Sequence, residues 1–194
     1  MSEGPEERSI CFYGSHDTVC WRSREQVYIR ASAVARRLSR EGVRPGDVCV
    51  IVLPSGESAA NTVLATLFLG AIPLLIAPPA LVGGNLEVHE TLRSALRRTR
   101  PRVVAYSGSS ELDFAGLERS FSATRFVVPD VEDIETQSEP FTPFFPSPTD
   151  IAAMQLTSGT TTAPRICVWD QKGVSAALTG MAEAMGLSPA DVCV

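Results

Sequence analysis

Histidine occurs only twice in this chain of 194 residues, at His16 and His89. The five cysteines (Cys11, Cys20, Cys49, Cys167, Cys193) are scattered, without a paired metal-ligand spacing. A zinc cluster is therefore not expected. Cys11 and Cys20 can face each other across a predicted hairpin, but buried free thiols suit the rest of the chain better than a disulfide framework. No Gly-Lys-Ser/Thr closes a glycine-rich loop, and the one lysine, Lys172, precedes Gly173 in the reversed order. That excludes a Walker loop, and the lack of any Gly-x-Gly-x-x-Gly excludes a dinucleotide fingerprint. Long apolar runs are missing too: Gly70, Pro73, Pro78 and Pro79 interrupt the most hydrophobic stretch before it can span a bilayer. Met1-Ser-Glu-Gly-Pro-Glu-Glu7 is acidic and lacks the apolar core of a secretory leader, so a cytoplasmic location is expected. There is no basic excess, the formal net charge being −5. Nucleic-acid binding is not expected, and Arg93, Arg97, Arg98, Arg100 and Arg102 read as a solvated helix face.

What is present is an ordinary globular composition, 44% hydrophobic and 20% charged. One domain over 1–194 is expected, long enough to bury roughly 70% of its unfolded surface. Ile10–Tyr13 and Thr18–Trp21 predict a hairpin around Gly14–Asp17. Ser23 with Gln26 predicts a capping box. The helix after it should bury Val27, Ala31, Val34, Ala35 and Leu38 and stop at Gly42. Val48–Leu53 is apolar throughout, as in a strand buried on both faces. A helix over Ser58–Leu69, a strand at Ile72–Ile76 and a helix from Asn85 to Pro101 follow, the last with the stripe Val88, Leu92, Ala95 and Leu96. Val103–Tyr106, a short helix over Glu111–Leu117 and Arg125–Val128 continue the alternation. The pattern predicts an α/β fold, a largely parallel sheet with flanking helices preceded by a β-hairpin. Residues 129–150 lack either period and read as an irregular connector. A last helix, Lys172–Met185, should turn Val174, Leu178, Met181 and Met185 inward, with Gly186 as its cap.

The segment most heavily marked for chemistry is Leu156-Thr-Ser-Gly-Thr-Thr-Thr-Ala-Pro-Arg165. Ile151–Leu156 leads into it and Ile166–Trp169 leads out, so two strands should hold it. Five hydroxyls (Thr157, Ser158, Thr160, Thr161, Thr162), the glycine Gly159 and the cation Arg165 offer donors and charge to phosphate oxygens. Ser, Thr, Gly and Pro are also what an ordinary surface turn uses.

The order of these residues resembles the phosphate-binding signature of the adenylate-forming enzymes, Leu-Thr-Ser-Gly-Thr-Thr-Gly-x-Pro-Lys-Gly-Val. That family includes acyl-CoA synthetases, acyl-AMP ligases and peptide-synthetase adenylation domains. Leu156 to Thr161 and Pro164 match, and Arg165 keeps the charge of the lysine. Thr162 and Ile166 replace two glycines, which removes easy access to positive φ. Asp170-Gln171 stands where the family often has a histidine. Gly46-Asp-Val-Cys-Val-Ile-Val-Leu-Pro54 and Gly70-Ala-Ile-Pro73 resemble earlier family elements in the right order, and Pro78-Pro79 resembles the fatty-acyl-AMP ligase and acyl-CoA synthetase branch.

The resemblance implies part of the large N-terminal domain of an adenylate-forming enzyme, an acid-thiol ligase. Its reaction joins a carboxylic acid to ATP, with Mg2+, giving acyl-AMP and pyrophosphate, and passes the acyl group to the thiol of coenzyme A or an acyl carrier protein. Thr157, Ser158, Gly159, Thr160, Thr161, Thr162 and Arg165 would hold the ATP phosphates. The family's acyl pocket, magnesium glutamate, ribose aspartate and catalytic lysine have no counterpart here. No catalytic or metal-ligating residue is therefore expected in these residues, and the chain is expected to be a fragment, inactive alone. The alternative is a non-catalytic α/β interaction module descended from a degenerate ligase.

Overall fold

The structure is a computed structural model, describing residues 10–13, 19–78, 85–110, 112–129, 141–157 and 164–188. Two strands, β1 (Ile10–Tyr13) and β2 (Val19–Arg22), pair antiparallel as a sheet of their own. Cys11 lies opposite Trp21 and Cys20 opposite Phe12, and both thiols are free. Helix α1 (Arg24–Arg40) starts at the expected capping box: Ser23 Oγ accepts from the Gln26 N–H, and Gln26 Oε1 accepts from the Ser23 N–H. All five residues of its apolar stripe are buried. Gly42, one residue past the cap Glu41, takes φ +85°, which a side chain rarely adopts.

The main sheet comprises β3 (Val48–Val52), β4 (Ile72–Leu75), β5 (Val103–Tyr106), β6 (Arg125–Val127), β7 (Ile151–Leu156) and β8 (Ile166–Asp170). Its order is β6-β5-β3-β4-β7-β8, parallel except for the antiparallel pair β7–β8. The segment Thr157–Arg165 is too short for a parallel crossover, which takes about a dozen residues, so β8 must turn back along β7. Pro73 lies inside a strand with neighbours on both sides, where a missing N–H is normally costly. Its register explains the tolerance: β4 pairs with β7 only from Leu74 onward.

Helix α2 (Glu57–Phe68) connects β3 to β4, and α3 (Asn85–Thr99) connects β4 to β5. Because those two steps run in opposite directions across the sheet, right-handed crossovers put the helices on opposite faces. Two cores result. One gathers Val34, Leu38, Val43, Cys49 and Ala65 between α1, α2 and the sheet; the other gathers Val50, Leu74, Leu92, Leu96 and Val104 under α3. The hairpin is tied on by charge: Glu57 receives Arg22 through Nε at 2.6 Å and Nη2 at 3.0 Å, and Arg30 Nε lies 3.2 Å away. The hydrogen bond with Glu57 pushes the Arg22 guanidinium above its ordinary range.

Two expectations need correction. The short helix α4 runs Phe114–Ser120, not Glu111–Leu117, because Asp113 Oδ1 accepts from the Gly116 N–H at 2.8 Å and fixes the start. The last helix, α5 (Gln171–Met185), has no buried residue: Leu178, Met181 and Met185 are more than half exposed. Its stripe is real, but a stripe marks which face is apolar and not what covers it; Val174 is half-buried, and no residue of this helix is fully covered. Gly186 does cap the helix in the left-handed conformation, with φ +64°.

The Cys49 thiol is buried in the first core, and that burial pushes it from 9.0 up to about 12, against a weaker downward pull from the Thr66 hydroxyl. The unfolded chain ionises this thiol more readily than the folded one. Cys49 therefore supports the fold fully below about pH 9 and loses that contribution as the pH rises toward about 12. Stability from denaturant titrations should fall over this window, and Cys49→Ala should flatten the fall. Equal slopes in the two proteins would contradict the assignment.

Candidate functional site

β7 pairs parallel with β4, so its last residue, Leu156, points the chain out at the same edge of the sheet where β3, β4 and β5 end. In parallel α/β sheets that edge collects ligand-binding loops. β8 returns from the same place, its first residue Ile166 opposite Leu156. The strands thus hold the two ends of the hydroxyl-rich segment together, as its flanking apolar runs suggested.

Beyond the ladder the two ends stay joined. The Thr157 N–H donates to the Arg165 carbonyl at 2.9 Å, and the Arg165 N–H donates to Thr157 Oγ1 at 3.2 Å. Of the seven expected site residues, Thr157 and Arg165 are therefore brought into direct contact. Thr157 is half-buried and Arg165 exposed. Ser158, Gly159, Thr160, Thr161 and Thr162 lie outside the described residues.

A contributor that the sequence did not reveal comes from α3. Arg98 Nη1 donates to the Pro164 carbonyl at 2.7 Å, across 66 positions of sequence. Arg98 was visible only as one of five arginines expected to face solvent, and nothing in its local pattern singles it out. Arg97, Arg98, Arg100 and Arg102 are indeed exposed, and Arg93 is half-buried.

The departure at Asp170-Gln171 has a structural explanation. Asp170 ends β8 and is the N-cap of α5, its Oδ1 accepting from the Gly173 N–H at 2.6 Å. The Gln171 and Lys172 N–H groups donate to the carbonyls of Asp150 and Pro148, both at 2.9 Å. The first turn of α5 is thereby occupied by the chain itself. Beside it lies an open cavity of about 530 Å3, lined by Pro146, Pro148, Gln171, Lys172, Ser175 and Ala176, none of them a residue of the hydroxyl-rich segment. Among the described residues, no three His, Cys, Asp or Glu side chains cluster as metal ligands. No described helix is long and apolar enough to cross a membrane.

A family model for AMP-binding enzymes matches residues 2–194. No curated protein matches. Among solved structures, the chain is similar to a fatty acyl-adenylate ligase from Legionella pneumophila in complex with acyl adenylate and pyrophosphate, with TM-score 0.78 and 20% identity over 95% of this chain and 31% of that one. It is similar to the adenylation domain of a keto acid-selecting NRPS module bound to keto acyl adenylate, with TM-score 0.80 and 19% identity over 95% of this chain and 33% of that one. It is also similar to apo MatB from Rhodopseudomonas palustris, with TM-score 0.75 and 18% identity over 97% of this chain and 37% of that one. At these identities the likeness shows the fold, a mostly parallel sheet flanked by helices. The chain spans about a third of the length of these structures.

Asp170→Ala removes the cap without touching Thr157 or Arg165. It should cost about 1 kcal/mol of stability and fray the first turn of α5. Thermal unfolding and amide exchange at Gly173 check this, and an unaltered Gly173 amide would contradict the capping role.

Proposed function

Because the chain belongs to the AMP-binding enzyme family, we propose that the whole protein is an ATP-dependent acyl-activating ligase. The supporting observation is the closure of the β7–β8 hairpin: Thr157 and Arg165 are hydrogen-bonded to each other where the strands end. That closure brings the two ends of the hydroxyl-rich segment to the edge of the sheet where α/β folds collect ligand-binding loops.

In the proposed reaction a carboxylate oxygen of the acid attacks the α-phosphorus of ATP. The bond from that phosphorus to the bridging oxygen breaks, and its electron pair leaves with pyrophosphate. The thiolate of coenzyme A or a carrier protein then attacks the acyl carbonyl, AMP departs with the C–O electron pair, and the thiol proton goes to solvent. Within this scheme Thr157, Ser158, Thr160, Thr161 and Thr162 donate hydroxyl or backbone hydrogens to the β and γ phosphates. Gly159 lets the backbone approach them. Arg165 supplies fixed positive charge as negative charge gathers on the leaving pyrophosphate. A guanidinium presents a planar fork where an ammonium presents a point, so Arg165 selects a phosphate orientation as well as a charge. Mg2+, when bound, supplies further neutralisation of the phosphates.

The acid is proposed to be a fatty acid, on the support of Pro78-Pro79 after β4, which resembles the fatty-acyl-AMP ligase branch. A cytoplasmic protein is the setting in which ATP and the thiol acceptor are both at hand.

ATP–pyrophosphate exchange by the whole protein with a fatty acid tests the reading. Thr161→Ala and Arg165→Ala should each slow exchange about a hundredfold, the usual loss when one preorganised donor to a developing anion is removed. Unchanged exchange in both variants would take the segment out of the mechanism. Absence of exchange in the unmodified protein, together with no nucleotide-dependent thermal shift, would favour a non-catalytic interaction module.

A further inference from the structure

We infer that Arg98 is a positioning residue for Arg165, an inference that rests on the phosphate-holding reading of Arg165. The Pro164 carbonyl and the Arg165 N–H belong to one peptide group, which is planar. Arg98 Nη1 holds its oxygen at 2.7 Å and Thr157 Oγ1 holds its hydrogen, with nitrogen to oxygen at 3.2 Å. A plane gripped at both ends cannot rotate. The next carbonyl, that of Arg165 itself, is taken by the Thr157 N–H at 2.9 Å. Proline at 164 adds a fixed φ on the other side. The direction in which the Arg165 side chain leaves the backbone is thereby set, on a residue that is otherwise exposed.

The anchor is stiff. Arg98 stands on α3, whose Val88, Leu92, Ala95 and Leu96 are buried in the core beneath the sheet. Its bond to Pro164 carries charge and is short, the stronger kind of hydrogen bond. The contact joins positions 66 residues apart and is solvent-exposed, so it contributes to geometry more than to stability. It also brings the Arg98 guanidinium to the peptide group next to Arg165, adding positive potential near where the phosphates are proposed to lie.

The test uses the whole protein with Arg98→Ala, Arg98→Lys and, as a control one residue away, Arg97→Ala. Arg98→Ala should lower kcat/KM for ATP in pyrophosphate exchange about fivefold, the scale of one lost hydrogen bond, mostly through kcat. Arg98→Lys should recover at least half of the loss, and Arg97→Ala should behave as the unmodified protein. Independently of activity, the Thr157 and Arg165 amides should exchange with solvent about fivefold faster in Arg98→Ala only. Unchanged exchange at both amides overturns the inference. So does an Arg98→Ala protein as active as Arg97→Ala while Arg165→Ala is impaired, an outcome that leaves the functional reading standing. If Arg165→Ala is itself fully active, both the reading and the inference fail.

Discussion

The burial of β3 on both faces governs the rest of this structure. Cys49 to Val52 are all sealed from solvent, so helices must cover the sheet above and below. The chain meets that demand by stepping from β3 to β4 in one direction and from β4 to β5 in the other. Each step carries a helix to a different face. Once β5 and β6 have extended the sheet on one side, the far side of β4 is still open. That is where β7 pairs, and β7 delivers the hydroxyl-rich segment.

The return from β6 to β7 is held by specific contacts. Tyr28 Oη donates to the Phe141 carbonyl at 2.5 Å, and the Phe144 N–H donates to the Phe68 carbonyl at 2.8 Å. The rings of Phe68 and Phe141 stack with centroids 6.2 Å apart, and Tyr28 tilts against Phe68. Gly70 is required there twice over: its φ is +68°, and an added Cβ would meet the Phe144 ring at 2.4 Å. Residues of no regular structure are thereby laced to the corner of α1 and α2. Asp150, whose Oδ2 accepts from the Ser147 N–H at 2.7 Å, then turns the chain into β7.

Much of this was legible in the residues because it rests on local rules. Ser23 and Gln26 announce α1, the all-apolar Val48–Val52 announces a strand covered on both faces, and Val88, Leu92, Ala95 and Leu96 announce the inner face of α3. The family resemblance stood on Leu156 to Arg165 and on the order of the elements before it. What local rules do not contain is a partner. The stripe of α5 gave its apolar face correctly and its burial wrongly, because burial depends on what lies opposite. The start of α4 depended on which acidic residue captured a backbone N–H. Arg98 looked like any solvent-facing arginine, since a bond across 66 residues leaves no trace in spacing. Asp170 looked like a departure from a pattern and is the cap of a helix.

The segment between β7 and β8 is proposed to hold the phosphates of ATP. A crystal structure of the whole protein with a non-hydrolysable ATP analogue and Mg2+ tests it most directly. The β and γ phosphate oxygens should lie within hydrogen-bond distance of backbone and hydroxyl donors between Thr157 and Arg165, with the Arg165 guanidinium on the γ phosphate. An analogue whose phosphates sit elsewhere, with that segment making no contact, would contradict it.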